Sequence, residues 1–141
     1  MTILRNVLAV VVGIVVCMFV NGGIITLSPA VIPPPAGANM DDFESMKASM
    51  PLLRPKHFVM PFLAHALGSL LGGLVAALIA ASHKITFALV IGLVHLAGGI
   101  AMALMIPAPV WFEALDLIVA YIPMALVGGR LGSGSKVTAP E

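Results

Sequence analysis

Apolar residues run through this sequence in four long blocks, and polar residues gather in the gaps between them. The blocks cover about residues 7–27, 58–81, 85–106 and 110–127. A helix rises ~1.5 Å per residue, so about 20 apolar residues cross the ~30 Å hydrocarbon layer of a bilayer. Backbone N–H and C=O groups need internal partners in lipid, which leaves helices and closed barrels as the spanning structures. Barrel strands alternate apolar and polar over about ten residues. The blocks are longer and continuously apolar. The pattern therefore predicts an all-α fold: a polytopic transmembrane bundle of four helices, with residues 1–141 as a single membrane domain.

The gaps are unequal. An outer loop over residues 28–57 separates spans 1 and 2 and carries Pro29 and the run Pro33-Pro34-Pro35, read as extended polyproline. Asn39 or Asp41 is placed to cap a short helix reaching Met50, with Asp41, Asp42 and Glu44 in its first turn. Met40, Phe43, Met46, Met50 and Leu53 recur at three- and four-residue steps, an amphipathic stripe. Such a helix lies on the membrane surface as an interfacial helix, or closes over a cavity as a lid. The other connections, Ser82-His83-Lys84 and Pro107-Ala108-Pro109, are tight and force antiparallel neighbours. The Gly128–Gly129 pair is expected to end span 4, leaving a tail over residues 130–141. Pro61 and Pro123 fall inside spans and predict kinks.

Composition agrees. Charged residues make up 9% of the chain against roughly 25% in soluble domains, and the net charge of +1 offers no nucleic-acid surface. The single cysteine, Cys17, excludes an intrachain disulfide and reads as inert packing. Arg5 opens span 1 in the manner of a signal peptide, yet an h-region has only ~7–15 residues, so the span reads as an uncleaved anchor. Arg5, Lys84, Arg130 and Lys136 share one side, nearly free of acid; Lys47, Arg54 and Lys56 share the other with three carboxylates. The positive-inside rule then puts both termini in the cytoplasm, with a dual-topology arrangement as the alternative.

Helices in lipid associate through close packing and hydrogen bonds, so small residues at four-residue steps mark their interfaces. Span 1 carries Ala9, Gly13, Cys17 and Asn21; span 2 carries Ala64, Gly68, Gly72, Ala76 and Ala80, flanked by His65, Ser69, Gly73, Ala77 and Ala81. Span 3 adds Ala88 with Gly92, and His95 with Gly99 and Ala103. Span 2 is therefore expected at the centre. The same stripes could also seat a homo-oligomer or a larger membrane complex.

Candidate chemistry lies in a polar layer. Counting inward from the outer ends, Asn21 lies ~9 Å deep, His65 ~11 Å, and Glu113 and Asp116 ~5–10 Å. His95 and Tyr121 are deeper. Ionisable groups at such depth are costly and mark functional candidates. Glu113 and Asp116 share a helix face, where two carboxylates in low dielectric would share a proton or hold a cation. Three readings follow: His65 and Asn21 pair with the carboxylates and pin the helices; the layer is a proton or cation site; or His65 and His95 hold a haem, or His65, Glu113 and Asp116 a divalent metal. No dedicated ligand spacing, nucleophile elbow, HExxH or phosphate loop is present, so neither an enzyme nor a cofactor is predicted.

The stretches RPKHFVMPFLAHALGSLLGGLVAALIAASHK and AYIPMALVGGRLG resemble an uncharacterised family of small bacterial four-span integral membrane proteins. The resemblance implies architecture and a bacterial inner (cytoplasmic) membrane, with the lipid bilayer as partner; it brings no site residues. Small multidrug transporters share the size and span count but carry their key acid in the first span, where this chain has Asn21. That departure argues against drug efflux. The reading is a non-enzymatic structural or accessory membrane protein, with an ion-coupled transporter or channel using Glu113, Asp116 and His65 as the alternative, and a metal- or haem-binding protein as a further one.

Overall fold

A computed structural model describes residues 1–134. Lys136, Glu141 and most of the expected tail lie outside the described residues. Four helical segments are long and apolar enough to cross a membrane: Thr2–Val31, Pro55–Ile79, Lys84–Met105 and Val110–Gly134. The first is helix α1 (Thr2–Val31), and a short helix α2 (Phe43–Ser49) follows in the long loop. A 3-10 turn, Pro55–Phe58, leads into α3 (Val59–Ile79), and α4 is Lys84–Met105. The fourth span is composite: α5 (Val110–Leu115), a π-helical turn over Asp116–Ala120, and α6 (Ile122–Gly134).

Helix α3 is the hub and packs against α1, α4 and α6. Its two small-residue stripes explain this. Ala64, Gly68, Gly72 and Ala76 are buried, and so are Ser69, Gly73 and Ala77 beside them. A Cβ built on Gly72 would stand 2.8 Å from the Gly13 carbonyl oxygen of α1, and one on Gly73 would stand 2.6 Å from the Ala125 carbonyl oxygen of α6. Both contacts are to backbone, which cannot yield as a flexible side chain does. Large side chains point the other way: Val11, Phe19, Leu78, Leu93 and Ile118 are exposed on the protein surface. A core of Ala and Gly inside a shell of Leu, Val, Ile and Phe is what lipid as solvent favours, since hydrocarbon is no worse for leucine than a protein interior.

At one end of the bundle, α1 caps α3. Arg5 donates from Nε and Nη2 to the Ile79 carbonyl at 3.2 and 3.0 Å. Asn6 accepts from the Ala81 N–H at 2.9 Å and donates to the Ser82 hydroxyl at 3.0 Å. These bonds serve chain-end groups that the helix cannot satisfy itself. His83 turns the chain toward α4 in the left-handed region, at φ 48°, which few residues other than glycine enter.

Several expectations about helix ends are corrected. Helix α1 runs through Pro29 to Val31, beyond the expected end of span 1, because a proline in the last turn forfeits only one bond. The Gly128–Gly129 pair does not end the fourth span; α6 continues to Gly134. The reason is packing: a Cβ on Gly128 would clash with the Leu70 carbonyl oxygen, and one on Gly132 would come 2.7 Å from the Leu74 carbonyl oxygen. These glycines seat α6 on α3. Pro61 is the third residue of α3, inside the first turn where N–H groups lack helical acceptors, so it demands no kink. Helix α2 starts at Phe43, one residue later than an Asp41 cap and three later than an Asn39 cap would start it, and gives way to a 3-10 turn at Met50. Its cap is Asp42, which accepts from the Ser45 N–H at 2.8 Å, while Asn39 takes the Asp41 N–H.

Two predictions follow from this packing and capping. Gly128→Ala is expected to destabilise the bundle by about 1–3 kcal/mol, as overpacking does, while Gly98→Ala, with nothing near its Cβ position, leaves stability unchanged or slightly higher. Thermal unfolding in detergent reads both; equal melting of Gly128→Ala and wild type would refute the close α3–α6 contact. The Ser45 N–H and hydroxyl hold the Asp42 carboxyl below its usual range. A lowered native pKa means the cap is intact above the unfolded value of ~3.9 and is lost as pH falls through the lower native value. The Ser45 amide resonance should therefore hold its capped position until below pH ~3.9 and then move.

Candidate functional site

All four spans contribute to a band of polar side chains across the bundle interior. Its anchor is Asp116, 5% exposed, at the start of the π-helical turn. Pro123 accounts for that turn: it has no N–H for the Val119 carbonyl, and its ring would press on that carbonyl in a regular helix. Widening the preceding turn relieves the clash. Five residues apart, Asp116 and Tyr121 would diverge by about 140° around a regular α-helix. Across the wider turn they meet, and the Tyr121 hydroxyl donates to Asp116 Oδ2 at 2.8 Å.

His65 of α3 completes this first cluster. Its Nδ1 stands 2.9 and 2.8 Å from the two Asp116 oxygens, and its ring stacks on Tyr121 at 5.3 Å and 28°. The contact gives each side chain a polar partner inside the bundle, which lowers the cost of keeping either in low dielectric. Tyr121 is fully buried, and room for its hydroxyl end comes from Gly99 of α4, where any Cβ would meet that hydroxyl.

A second cluster surrounds His95 of α4, 3% exposed. Its Nδ1 stands 2.9 Å from the Ser69 hydroxyl of α3 and 3.2 Å from the Cys17 sulfur of α1; its Nε2 stands 3.2 Å from the Asn21 amide nitrogen. With the amide so placed, Nε2 accepts from Asn21 and Nδ1–H faces the Ser69 hydroxyl. Asn21 Oδ1 is the one buried side-chain polar atom among the described residues without a hydrogen-bond partner. The two clusters touch through rings: His95 lies edge-on to Tyr121 at 5.0 Å and to His65 at 5.8 Å. No hydrogen bond joins them among the described residues.

Of the residues singled out from sequence, five meet here: Asn21, His65, His95, Asp116 and Tyr121. Glu113 does not. It turns outward to accept the Ala108 N–H at 2.9 Å, closing the entry to α5. The expected carboxylate pair is thus parted, because the helix start offers Glu113 an unpaired donor within reach. Asn21 meets His95 instead of a carboxylate. Cys17, read from sequence as inert packing, and Ser69, read only as part of a small-residue stripe, also join the band at His95. Their signal was present, since each lies four residues from a flagged polar group, Asn21 and His65, on the same stripe.

The donors do not suit the cofactors weighed above. His95 has both ring nitrogens engaged and lies edge-on to His65, leaving no gap for a porphyrin between them. Among the described residues no three His, Cys, Asp or Glu side chains converge to hold a metal ion, and Glu113 is committed elsewhere. No family model, curated protein or solved structure matches the chain.

Removing single partners should expose the coupling. Tyr121→Phe, which removes a hydrogen bond within the fourth span, is expected to cost about 0.5–1.5 kcal/mol. Asp116→Leu, which strands two donors, should cost about 3 kcal/mol. Gly99→Ala should shift the absorbance of the sole tyrosine, since it displaces that ring. Detergent melts and second-derivative spectra check these, and an unperturbed Asp116→Leu protein would refute the pairing.

Proposed function

We propose that this protein is a non-enzymatic structural or accessory component of a bacterial inner membrane, whose polar band locks four helices in one register. Both termini face the cytoplasm, the long loop faces outward, and α2 lies along the membrane surface. The observation that carries the reading is closure: Asp116 is satisfied by His65 and Tyr121, and His95 by Ser69, Cys17 and Asn21. Side chains that spend their hydrogen bonds on each other specify which helix faces meet, a role well attested for buried polar groups. The charge distribution supports the orientation. The end of the bundle with Arg5, Lys84 and Arg130 has no described carboxylate, and positive residues there favour the cytoplasmic side.

The alternative, proton or cation transport through Glu113, Asp116 and His65, has less support. Glu113 is committed to the Ala108 N–H, and among the described residues no side-chain hydrogen bond links the Asp116 cluster to the His95 cluster.

Reconstitution in liposomes with an internal pH dye distinguishes the two. Under an imposed gradient between about pH 5 and 8, where histidine titrates, flux equal to that of empty liposomes is expected. Flux that Asp116→Asn abolishes would overturn the structural reading in favour of transport.

A further inference from the structure

An apolar groove of about 150 Å³ lies on the surface between the starts of α3 and α5, outside the polar band. Pro55, Phe58, Phe62 and Leu63 form one wall, and Trp111 and Leu115 belong to the other. The Phe58 ring meets Trp111 edge-on at 5.7 Å and Phe112 at 4.8 Å, so its floor is aromatic and rigid. Trp111 and Leu115 remain well exposed beside it. The lining is almost wholly apolar, so along its length the groove has contact to offer a hydrocarbon chain and little for a polar ligand. Pro55 lines the groove, and its two neighbours in the chain, Arg54 and Lys56, are exposed cations. The loop carboxylates Asp41, Asp42 and Glu44 belong to the start of α2, where Asp42 caps the Ser45 N–H, and Glu113 accepts from the Ala108 N–H.

We propose that this groove binds one anionic phospholipid, with an acyl chain against Phe58, Phe62 and Trp111 and the phosphate on Arg54 and Lys56. The tryptophan and the paired cations stand where the spans begin, at headgroup level, where amphipathic rings and basic side chains are favoured. The two cations next to an apolar slot specify a headgroup with net negative charge, since clustered Lys and Arg attract anionic lipid. The site is independent of the role proposed for the polar band, and either can fail without the other.

Native mass spectrometry of the full chain released from detergent tests the site, with phosphatidylglycerol and phosphatidylcholine of identical acyl chains added in turn. Phosphatidylglycerol should be retained at least tenfold more than phosphatidylcholine. Arg54→Gln with Lys56→Gln, both at exposed positions, should abolish that preference. Lys47→Gln, on α2, should keep it. Val59→Trp, which fills the groove from an exposed position, should lower retention of both lipids. Equal retention of the two lipids by wild type, or an undiminished preference in the double variant, would overturn the proposal. A melting shift produced equally by inorganic phosphate would also overturn it, since that ligand has no chain for the groove.

Discussion

The Asp116 carboxylate sets the terms for the rest of the interior. A carboxylate at membrane depth must find opposite charge and donors within the protein, because lipid supplies neither. Here it finds His65 across the bundle and Tyr121 on its own span. The second partner exists because the helix departs from regularity. Pro123 disrupts the local bonding, the turn widens, and a residue that would face elsewhere swings onto the face of Asp116. A proline that looks like damage to a helix is thus the means by which the carboxylate is satisfied.

The polar groups reach one another because the backbones are close. Hydrogen bonds span about 3 Å, so helices separated by leucines would hold these side chains apart. Gly68, Gly72 and Gly73 of α3 and Gly92 and Gly99 of α4 remove that bulk where Cys17, His95, Tyr121 and Ala125 need space. The two features depend on each other. Small residues supply proximity, which gains little in lipid beyond van der Waals contact, and the polar pairs supply the direction and register that a smooth glycine surface lacks.

The fold was legible because its main determinant is one-dimensional. Four apolar blocks and short polar gaps give the number of spans and their order, and the stripe from Ala64 to Ala80 correctly marks α3 as central. Depth along each helix could also be counted, and it puts Asn21, His65 and Asp116 near a common level. What could not be counted was azimuth and local competition. Glu113 and Asp116 are equivalent by spacing, yet a free N–H at Ala108 captures the first and leaves the second to the core. Glycine pairs carry a similar ambiguity: Gly128–Gly129 reads as a stop signal by propensity but serves as a contact surface once α3 lies against it. Propensity governs a helix end exposed to water; packing governs one that is covered.

The division of the band into two clusters bears on what it can do. Within each cluster the hydrogen bonds are short and mutual, and between them only ring edges touch. The Asp116–His65–Tyr121 cluster ties the fourth span to α3, and His95 ties α4 to Ser69 of α3 and to Cys17 and Asn21 of α1. That division gives each helix a fixed polar partner on a neighbouring helix.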